Sequence, residues 1–362
     1  MDGSHTLVLA FAGPAVVQEG TPQQAALEQL GRAFPLSQMA GCSTAGEILA
    51  DRVRDDSISV VVARFEHTRL CRASTSLAGP GDSLAAGGRL AAALPHEGLR
   101  SVLVLSDGLN VNGSPLVEGL HRALPAGVVV TGGLAGDGDR FASTWVLDGV
   151  TPRRQHVVTI GLYGDRLRVG HGCDGGWHDF GPERRITRAE GNVLYELDGK
   201  PALDLYKHYL GDRAAGLPGA ALLFPLAVRR DGGGPSLVRT VLATDEQARS
   251  MTFAGDIPQG GIARLMRSTT ERLIDSAARA AATAFGDGAA SGDSLAITVS
   301  CVGRRLVLGE RTEEEVEAVL DRAPPRCGHV GFYSYGEISP TQPGGASELH
   351  NQTMTVTVLA ET

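Results

Sequence analysis

The chain of 362 residues is 42% hydrophobic and 20% charged, with a net charge of −8. This length is typical of two domains, and the composition is typical of a folded globular protein. No apolar run approaches the about 20 residues of a membrane helix, and the acidic balance, without a Lys/Arg-rich run, argues against nucleic acid as a partner. The five cysteines are widely spaced and form no C-x-x-C pair, which argues against a disulfide framework or a structural zinc site.

The N-terminus predicts a first strand and not a secretion signal, because it lacks a basic segment and carries an acidic residue at position 2. We therefore expect a cytoplasmic protein. A helix should follow the strand, since Thr21-Pro22-x-Gln24 supplies an N-cap, a proline at the first helical position and a capping-box partner. A second strand then leads into a loop that contains Gly46-Glu47.

The same pattern occurs twice more along the chain. One copy begins with the apolar run at 101–106 and ends in Gly136-Asp137. The other begins at 295–301, continues through a helix that we expect to open with a capping box at Thr312-x-x-Glu315, and ends in Gly336-Glu337. Parallel neighbouring strands need a helical crossover. The chain is therefore predicted to be an α/β protein of two pseudo-symmetric halves, with mixed sheets built from repeated β-α-β units.

The stretch between the second and third copies differs from them. It begins with alternating strands and a turn rich in Gly and His after residue 170, in which we place the domain boundary. Two strands around the DGGGP turn and one long amphipathic helix over 261–285 are predicted to follow.

The three loops that end in a glycine and a carboxylate should lie at the carboxyl ends of strands, where α/β proteins bind ligands. Glu47, Asp137 and Glu337 could each accept hydrogen bonds from an ammonium or hydroxyl group of a ligand. Alternatively, each carboxylate caps a helix or ties one loop to the next strand.

Arg304 and Arg305 follow the strand of the third copy at the corresponding position. A planar guanidinium there would bind a carboxylate or phosphate with two hydrogen bonds. The alternative is a structural ion pair with a nearby acid.

Two other chemistries use different residues. Cys42 as nucleophile, His350 as base and Glu337 as orienter would make a transferase or hydrolase, although a free cysteine is usually a small buried apolar residue. His171 and His178 could ligate a metal or haem iron, but their spacing in a glycine-rich turn matches no metal-site pattern and favours a structural role.

We assign no residue to catalysis or to a metal. The candidate ligand-binding residues are Cys42, Ser43, Thr44, Gly46, Glu47, Gly136, Asp137, Cys301, Arg304, Arg305, Gly336, Glu337, His350 and Asn351.

Six sequence segments, in order and spread over nearly the whole chain, resemble the FIST family. They are GCSTAGEI at 41–48, GGLAGDG at 132–138, ELDGKPALDLY at 196–206, SCVGRRLVLGERTEEEVEAVL at 300–320, GFYSYGEISP at 331–340 and ELHNQTMTVTVL at 348–359. The resemblance implies a FIST N-terminal domain over 1–180 and a FIST C-terminal domain over 186–362.

The resemblance also implies an intracellular sensory role with small ligands such as amino acids. Some members of the family resemble nitric-oxide sensors that hold haem and control a histidine kinase or a cyclic-di-GMP enzyme. Since the two halves leave no room for an output domain, we expect a ligand-binding sensor that acts on a separate signalling protein. The alternatives are a haem-based sensor, with His171, His178 or His350 as candidate ligands, and a Cys42-dependent enzyme.

Overall fold

A computed structural model of the protein describes residues 1–17, 20–233, 236–286, 292–342 and 344–362. The elements of the first part are β1 Thr6–Ala12, α1 Pro22–Ala33, β2 Gln38–Ser43, β3 Glu47–Leu49, β4 Arg52–Arg54, β5 Ile58–Arg64, β6 Arg69–Ser76, α2 Ser83–Ala93, β7 Leu99–Ser106, α3 Gly113–Ala123, β8 Val129–Leu134, β9 Val146–Asp148, β10 Thr151–Arg153, β11 His156–Tyr163 and β12 Leu167–Asp174. Short 3-10 helices cover Pro14–Val17 and Pro80–Asp82.

The middle part forms its own sheet around a separate apolar core that includes Ile186, Leu203 and Phe253. Its elements are β13 His178–Asp179, β14 Arg184–Glu190, β15 Val193–Leu197, β16 Lys200–Pro201, α4 Ala202–Leu210, β17 Leu226–Arg229, β18 Leu237–Arg239, β19 Val241–Asp245, β20 Ser250–Phe253 and β21 Ile262–Arg267, with 3-10 helices at Gly211–Gly216 and Gly219–Leu223.

The last part returns to the main body of the molecule. Its elements are α5 Thr270–Phe285, β22 Ser294–Cys301, α6 Val302–Leu308, α7 Thr312–Leu320, β23 Cys327–Ser334, β24 Gly336–Pro340, β25 Ser347–His350 and β26 Met354–Glu361, with a 3-10 helix at Gly309–Arg311. Helices and mixed sheets confirm the predicted α/β class.

Local sequence signals placed some helix ends correctly and others wrongly. The Thr21 side chain accepts a hydrogen bond from the Gln24 N–H, which confirms the predicted start of α1. The capping box predicted at Thr312 does not form, because its hydroxyl donates to the Gly309 carbonyl while Glu315 is buried in an ion pair.

The helix predicted over 261–285 was wrong in its first part. Residues Ile262–Arg267 form strand β21, and α5 begins only after the Thr269 N-cap. Ala263 and Leu265 are buried in the strand, while Arg267 is exposed. Sheet pairing on both sides of β21 outweighed the apparent continuation of the helical pattern.

The three predicted β-α-β units are present and share one topology. In each unit a central strand pairs in parallel with the strand after its helix and antiparallel with a later return strand. The three sets are β1 with β2 and β5, β7 with β8 and β11, and β22 with β23 and β26.

The units exchange strands in a closed cycle, which gives the body a pseudo-threefold arrangement. Strand β3 of the first unit pairs with β23 of the third, β24 of the third pairs with β8 of the second, and β9 of the second pairs with β2 of the first. Three backbone hydrogen bonds repeat this cycle: Ala45 N to Tyr333 O at 2.8 Å, Tyr335 N to Leu134 O at 3.2 Å, and Gly136 N to Ser43 O at 3.0 Å. The two halves of the chain therefore share sheets.

One glycine per unit fixes how the three units align. A Cβ atom at Gly41, Gly132 or Gly331 would lie within about 2 Å of the carbonyl oxygen of the neighbouring central strand, so only glycine fits there. Counted from these glycines, Glu47 and Glu337 occupy the same position, whereas Asp137 comes one residue earlier. The first and third loops are thus equivalent, and the second differs.

Candidate functional site

A cleft of about 510 Å³ opens where the three units meet at the ends of their strands. Each unit contributes one or more segments to its wall. The lining residues are Gly13, Pro14, Thr44, Ala45, Glu47, Asp55, Asp56, Gly138, Asp139, Arg140, Val302, Arg305, Leu306, Gly309 and Thr312. Of the predicted ligand-binding residues, Thr44, Glu47 and Arg305 therefore lie on one cleft.

Arg305 is held at the cleft by helix α6, which starts directly after β22. Its guanidinium donates to both oxygens of Asp55 at 2.6 and 2.7 Å and to the Ala45 carbonyl at 2.6 Å. The hydrogen bond to Asp55 raises the pKa of Arg305 and lowers the pKa of Asp55, so both groups are ionised. Nε–H and one hydrogen on Nη2 have no acceptor within the described part of the chain, which leaves two donors for a ligand.

Arg140 is a second cation at the cleft, which the sequence reasoning missed. Its Nε donates to the Asp137 carbonyl at 2.7 Å, and this bond fixes the side chain. Neither Nη group donates to any of the described residues, so a planar pair of donors faces solvent beside the exposed Asp139. The run Gly-Asp-Arg directly after the second loop was the available signal.

Glu47 and Glu337 have the same pattern of hydrogen-bond donors, in keeping with their equivalent positions. Glu47 accepts hydrogen bonds from the Thr44 hydroxyl and from both the backbone and the hydroxyl of Ser57, at 2.8 and 2.7 Å for the latter two. Glu337 accepts from the Ser334 hydroxyl at 2.7 Å and from the backbone and hydroxyl of Thr353 at 3.1 and 2.9 Å.

Both carboxyl groups thus tie the loop to the start of the return strand. Burial raises the pKa of each, and it raises the pKa of Glu337 to about 8. At neutral pH, Glu337 therefore holds a proton in most molecules.

Asp137 ties its own longer loop in a different way. Its carboxylate accepts from the Tyr335 hydroxyl and from the backbone N–H groups of Ala142 and Ser143 at 2.9 and 2.8 Å. Gly136, immediately before it, supplies one of the three cyclic backbone bonds.

Arg304 lies in the interior, not at the cleft. Its side chain is 0% exposed and pairs with Glu315, at 2.7 Å for the closest contact. The remaining donors reach the Gly175 and Leu273 carbonyls and the Ser276 hydroxyl. The structural ion pair, which was the alternative for this arginine, is the arrangement that the protein forms.

The other candidates of the third unit also lie inside the protein. Cys301 is buried at the end of β22, and burial raises its pKa. His350 Nε2 contacts the Ser339 carbonyl at 2.8 Å, and Asn351 donates to the Tyr335 carbonyl at 3.4 Å. Gly336 pairs with Leu134 in the exchanged sheet. None of these residues lines the cleft.

Cys42 is buried on β2 in the central apolar core, beside Phe11. Burial, followed by the nearby charge of Glu47, raises the pKa of its thiol well above the ordinary value. No hydrogen bond joins Cys42 to His350 or Glu337 among the residues with described positions. The neighbouring Ser43 accepts from the Trp145 N–H at 3.1 Å, which helps to fix the exchanged strand β9.

The histidines considered for haem lie apart from the cleft, whose lining contains no histidine. His171 is on β12 and His178 on β13, and the Nδ1 atom of each is buried without a partner among the described residues. In the same described ranges, no group of three or more His, Cys, Asp or Glu side chains could hold a metal ion. The cleft therefore does not fit a haem ligated by histidine.

Comparison with known proteins identifies the family of the chain. Residues 6–200 match the FIST N domain and residues 202–340 match the FIST C domain. The two matches meet C-terminal to the domain boundary predicted at 180–186, and that boundary stays a prediction. No curated protein matches the chain. A cyanuric acid hydrolase from A. caulinodans is one solved structure with some likeness. It is 13% identical over 81% of this chain and 99% of that one, with a TM-score of 0.17.

Across the described residues, no helix is long and apolar enough to cross a membrane. The two domain matches together span almost the entire chain, in the order that the six sequence segments predicted. The chain therefore belongs to the FIST family, whose domains are associated with sensing in signal transduction.

Proposed function

We propose that this protein senses a small zwitterion of the amino-acid class, which binds in the cleft between the three units. The observation that carries the proposal is the presence of both signs of charge in the lining of one cleft. Arg140 and Arg305 both keep free N–H donors, and the exposed carboxylate of Asp139 is next to Arg140 in sequence. A ligand with a carboxylate and an ammonium group matches both signs.

The contacts of such a ligand follow from the donors that remain free. The Nη groups of Arg140, with the free N–H groups of Arg305, bind the carboxylate. Asp139 accepts hydrogen bonds from the ammonium group. Pro14, Val302 and the half-exposed Leu306 form the apolar part of the lining and would contact the ligand side chain. This assignment uses Arg305 and not Arg304, whose donors are occupied inside the protein.

Signalling would follow from the position of the cleft between the two halves. The segments at 44–56 and 138–140 belong to the FIST N match, and the segment at 302–312 belongs to the FIST C match. A ligand that contacts both favours the state in which they lie closest, and this shifts the surface presented to a separate signalling protein. The role is that of a cytoplasmic binding protein without catalysis, and its partners are a small molecule and a protein.

Arg140→Gln should weaken binding of the amino acid identified in a thermal-shift screen by about 10- to 100-fold. The reason is the loss of charge-assisted hydrogen bonds to the ligand carboxylate. Isothermal titration calorimetry measures the change. The control is Arg168→Gln, which alters an exposed arginine on β12 away from the cleft and should leave affinity unchanged. Equal affinity of Arg140→Gln and the native protein would contradict this site.

Asp139→Asn tests whether the ligand is a zwitterion or a simple anion. Loss of the carboxylate should weaken binding of the amino acid, because its ammonium group loses its acceptor, and should strengthen binding of the analogue that lacks the amine, because a repulsive charge is removed. Calorimetry with both compounds gives the two signs. A change of the same sign for both would show that Asp139 does not contact the ammonium group.

A further inference from the structure

The lining of the cleft carries more negative than positive charge. Its acidic members are Glu47, Asp55, Asp56 and Asp139, and its basic members are Arg140 and Arg305. Burial raises the pKa of Glu47, but even with this group counted as protonated, three carboxylates face two guanidinium groups. One negative charge is therefore in excess. A zwitterion with an uncharged side chain would leave this excess in place, because its own two charges cancel.

The three remaining carboxylates of the lining differ in what they bind. Both oxygens of Asp55 accept hydrogen bonds from Arg305. These bonds lower the pKa of Asp55, and the charge of Arg140 adds to the effect, so both cations lie near this carboxylate. Asp139 is the acceptor assigned above to the ammonium group of the ligand. Asp56 is the carboxylate that is left over.

Asp56 lies on the β1 side of the cleft. Its backbone is in the left-handed region, with φ of +51°, in the bend that leads into β5. A Cβ atom at Gly13 would lie 3.0 Å from the Asp56 Oδ1 atom, so the carboxylate packs beside Gly13, which precedes Pro14 in the lining. The side chain is exposed, and across the described residues its carboxylate accepts no hydrogen bond and forms no ion pair.

We propose that the ligand is an amino acid with a cationic side chain, of the lysine or arginine class, and that Asp56 binds the side-chain cation. This inference rests on the proposed function, from which it takes the main-chain contacts of the ligand. The methylene groups of the ligand lie along Pro14, and the terminal cation reaches Asp56. Such a ligand carries one positive charge overall and neutralises the excess of the cleft.

Other charged ligands match the cleft less well. An acidic amino acid would bring a second carboxylate to Asp56, where like charges repel. A diamine would supply the cations but leave the free N–H donors of Arg140 and Arg305 without an acceptor. Only a ligand that combines one carboxylate with two cationic groups uses both arginines and both free aspartates.

Isothermal titration calorimetry with L-lysine and L-norleucine tests the proposal, because norleucine has the same carbon chain without the terminal ammonium group. The native protein should bind L-lysine about tenfold more tightly than L-norleucine. Asp56→Asn should abolish this preference by weakening L-lysine alone. Asparagine keeps the size of the side chain and also adopts positive φ, so the bend is retained.

Two further variants separate this contact from other effects of charge. Asp165→Asn removes an exposed carboxylate in the turn between β11 and β12, which does not line the cleft, and should leave both affinities unchanged. Arg140→Gln should weaken L-lysine and L-norleucine by the same factor, because both ligands carry the carboxylate that Arg140 binds.

Failure of this inference and failure of the proposed function give different results. If L-norleucine or L-glutamate binds as tightly as L-lysine, the protein is still a sensor of amino acids, but its ligand is not selected by a cationic side chain. If the preference for L-lysine persists in Asp56→Asn, Asp56 does not bind the cation. If no amino acid binds the native protein, the proposed function fails and this inference fails with it.

Discussion

Replacing Arg304 with methionine should lower the free energy of unfolding by about 3–5 kcal/mol, the usual cost of leaving one partner of a buried ion pair alone. Arg304 and Glu315 are both 0% exposed, and the remaining contacts of Glu315 are the hydroxyls of Ser300 and Tyr333. Hydroxyl donors cannot replace the lost positive charge. Urea denaturation monitored by circular dichroism measures the loss.

Two variants control this result. Arg311→Met breaks the solvent-exposed pairs with Glu314 and Glu271 and should cost no more than about 1 kcal/mol. The double variant Arg304→Met/Glu315→Leu removes both buried charges and should recover much of the stability lost in the single variant. If Arg304→Met were as mild as Arg311→Met, the buried pair would not have the structural role described above.

The second large effect is the dependence of stability on pH that Glu337 imposes. Its pKa is about 8 in the folded protein against an ordinary 4.5. Below pH 4.5 both states are protonated, and between the two values the unfolded chain releases a proton that the folded chain retains. Stability therefore falls as pH rises through this window, in total on the order of 5 kcal/mol, and is level above it.

Glu337→Gln mimics the protonated side chain and should remove this fall. The difference in unfolding free energy between variant and native protein, measured by urea titration at a series of pH values, should grow in favour of the variant from pH 4.5 to 8. Thr353→Val removes a hydrogen-bond donor that favours the ionised form of Glu337. The stability of this variant should therefore continue to fall up to a higher pH than that of the native protein. A difference in unfolding free energy that does not vary with pH would show that Glu337 is not the group that retains the proton.

Much of the fold could be predicted from local patterns. Alternating and helical periodicity located the three β-α-β units, and the Thr21-Pro22 start of α1 is confirmed because a cap is a contact between residues close in sequence. The prediction failed where distant contacts compete with local ones. The hydroxyl of Thr312 bonds to the preceding turn since Glu315 is drawn into the pair with Arg304.

The candidate site was predicted only in part. Thr44, Glu47 and Arg305 lie on the cleft, whereas most of the other candidates lie inside the protein. Arg140 was missed because a charged residue after a turn looks like any exposed residue until the opposing wall of the cleft is known.

The sequence by itself determined the repeated units and membership of the FIST family, because these depend on the kinds and spacing of residues along the chain. The tertiary structure alone decided the cyclic exchange of strands, and it alone decided that Arg304 lies in the interior and Arg305 at the cleft. Successive residues of a helix point about 100° apart. One arginine therefore enters the interior and the next reaches the cleft, and only the packing of α6 against its neighbours settles which.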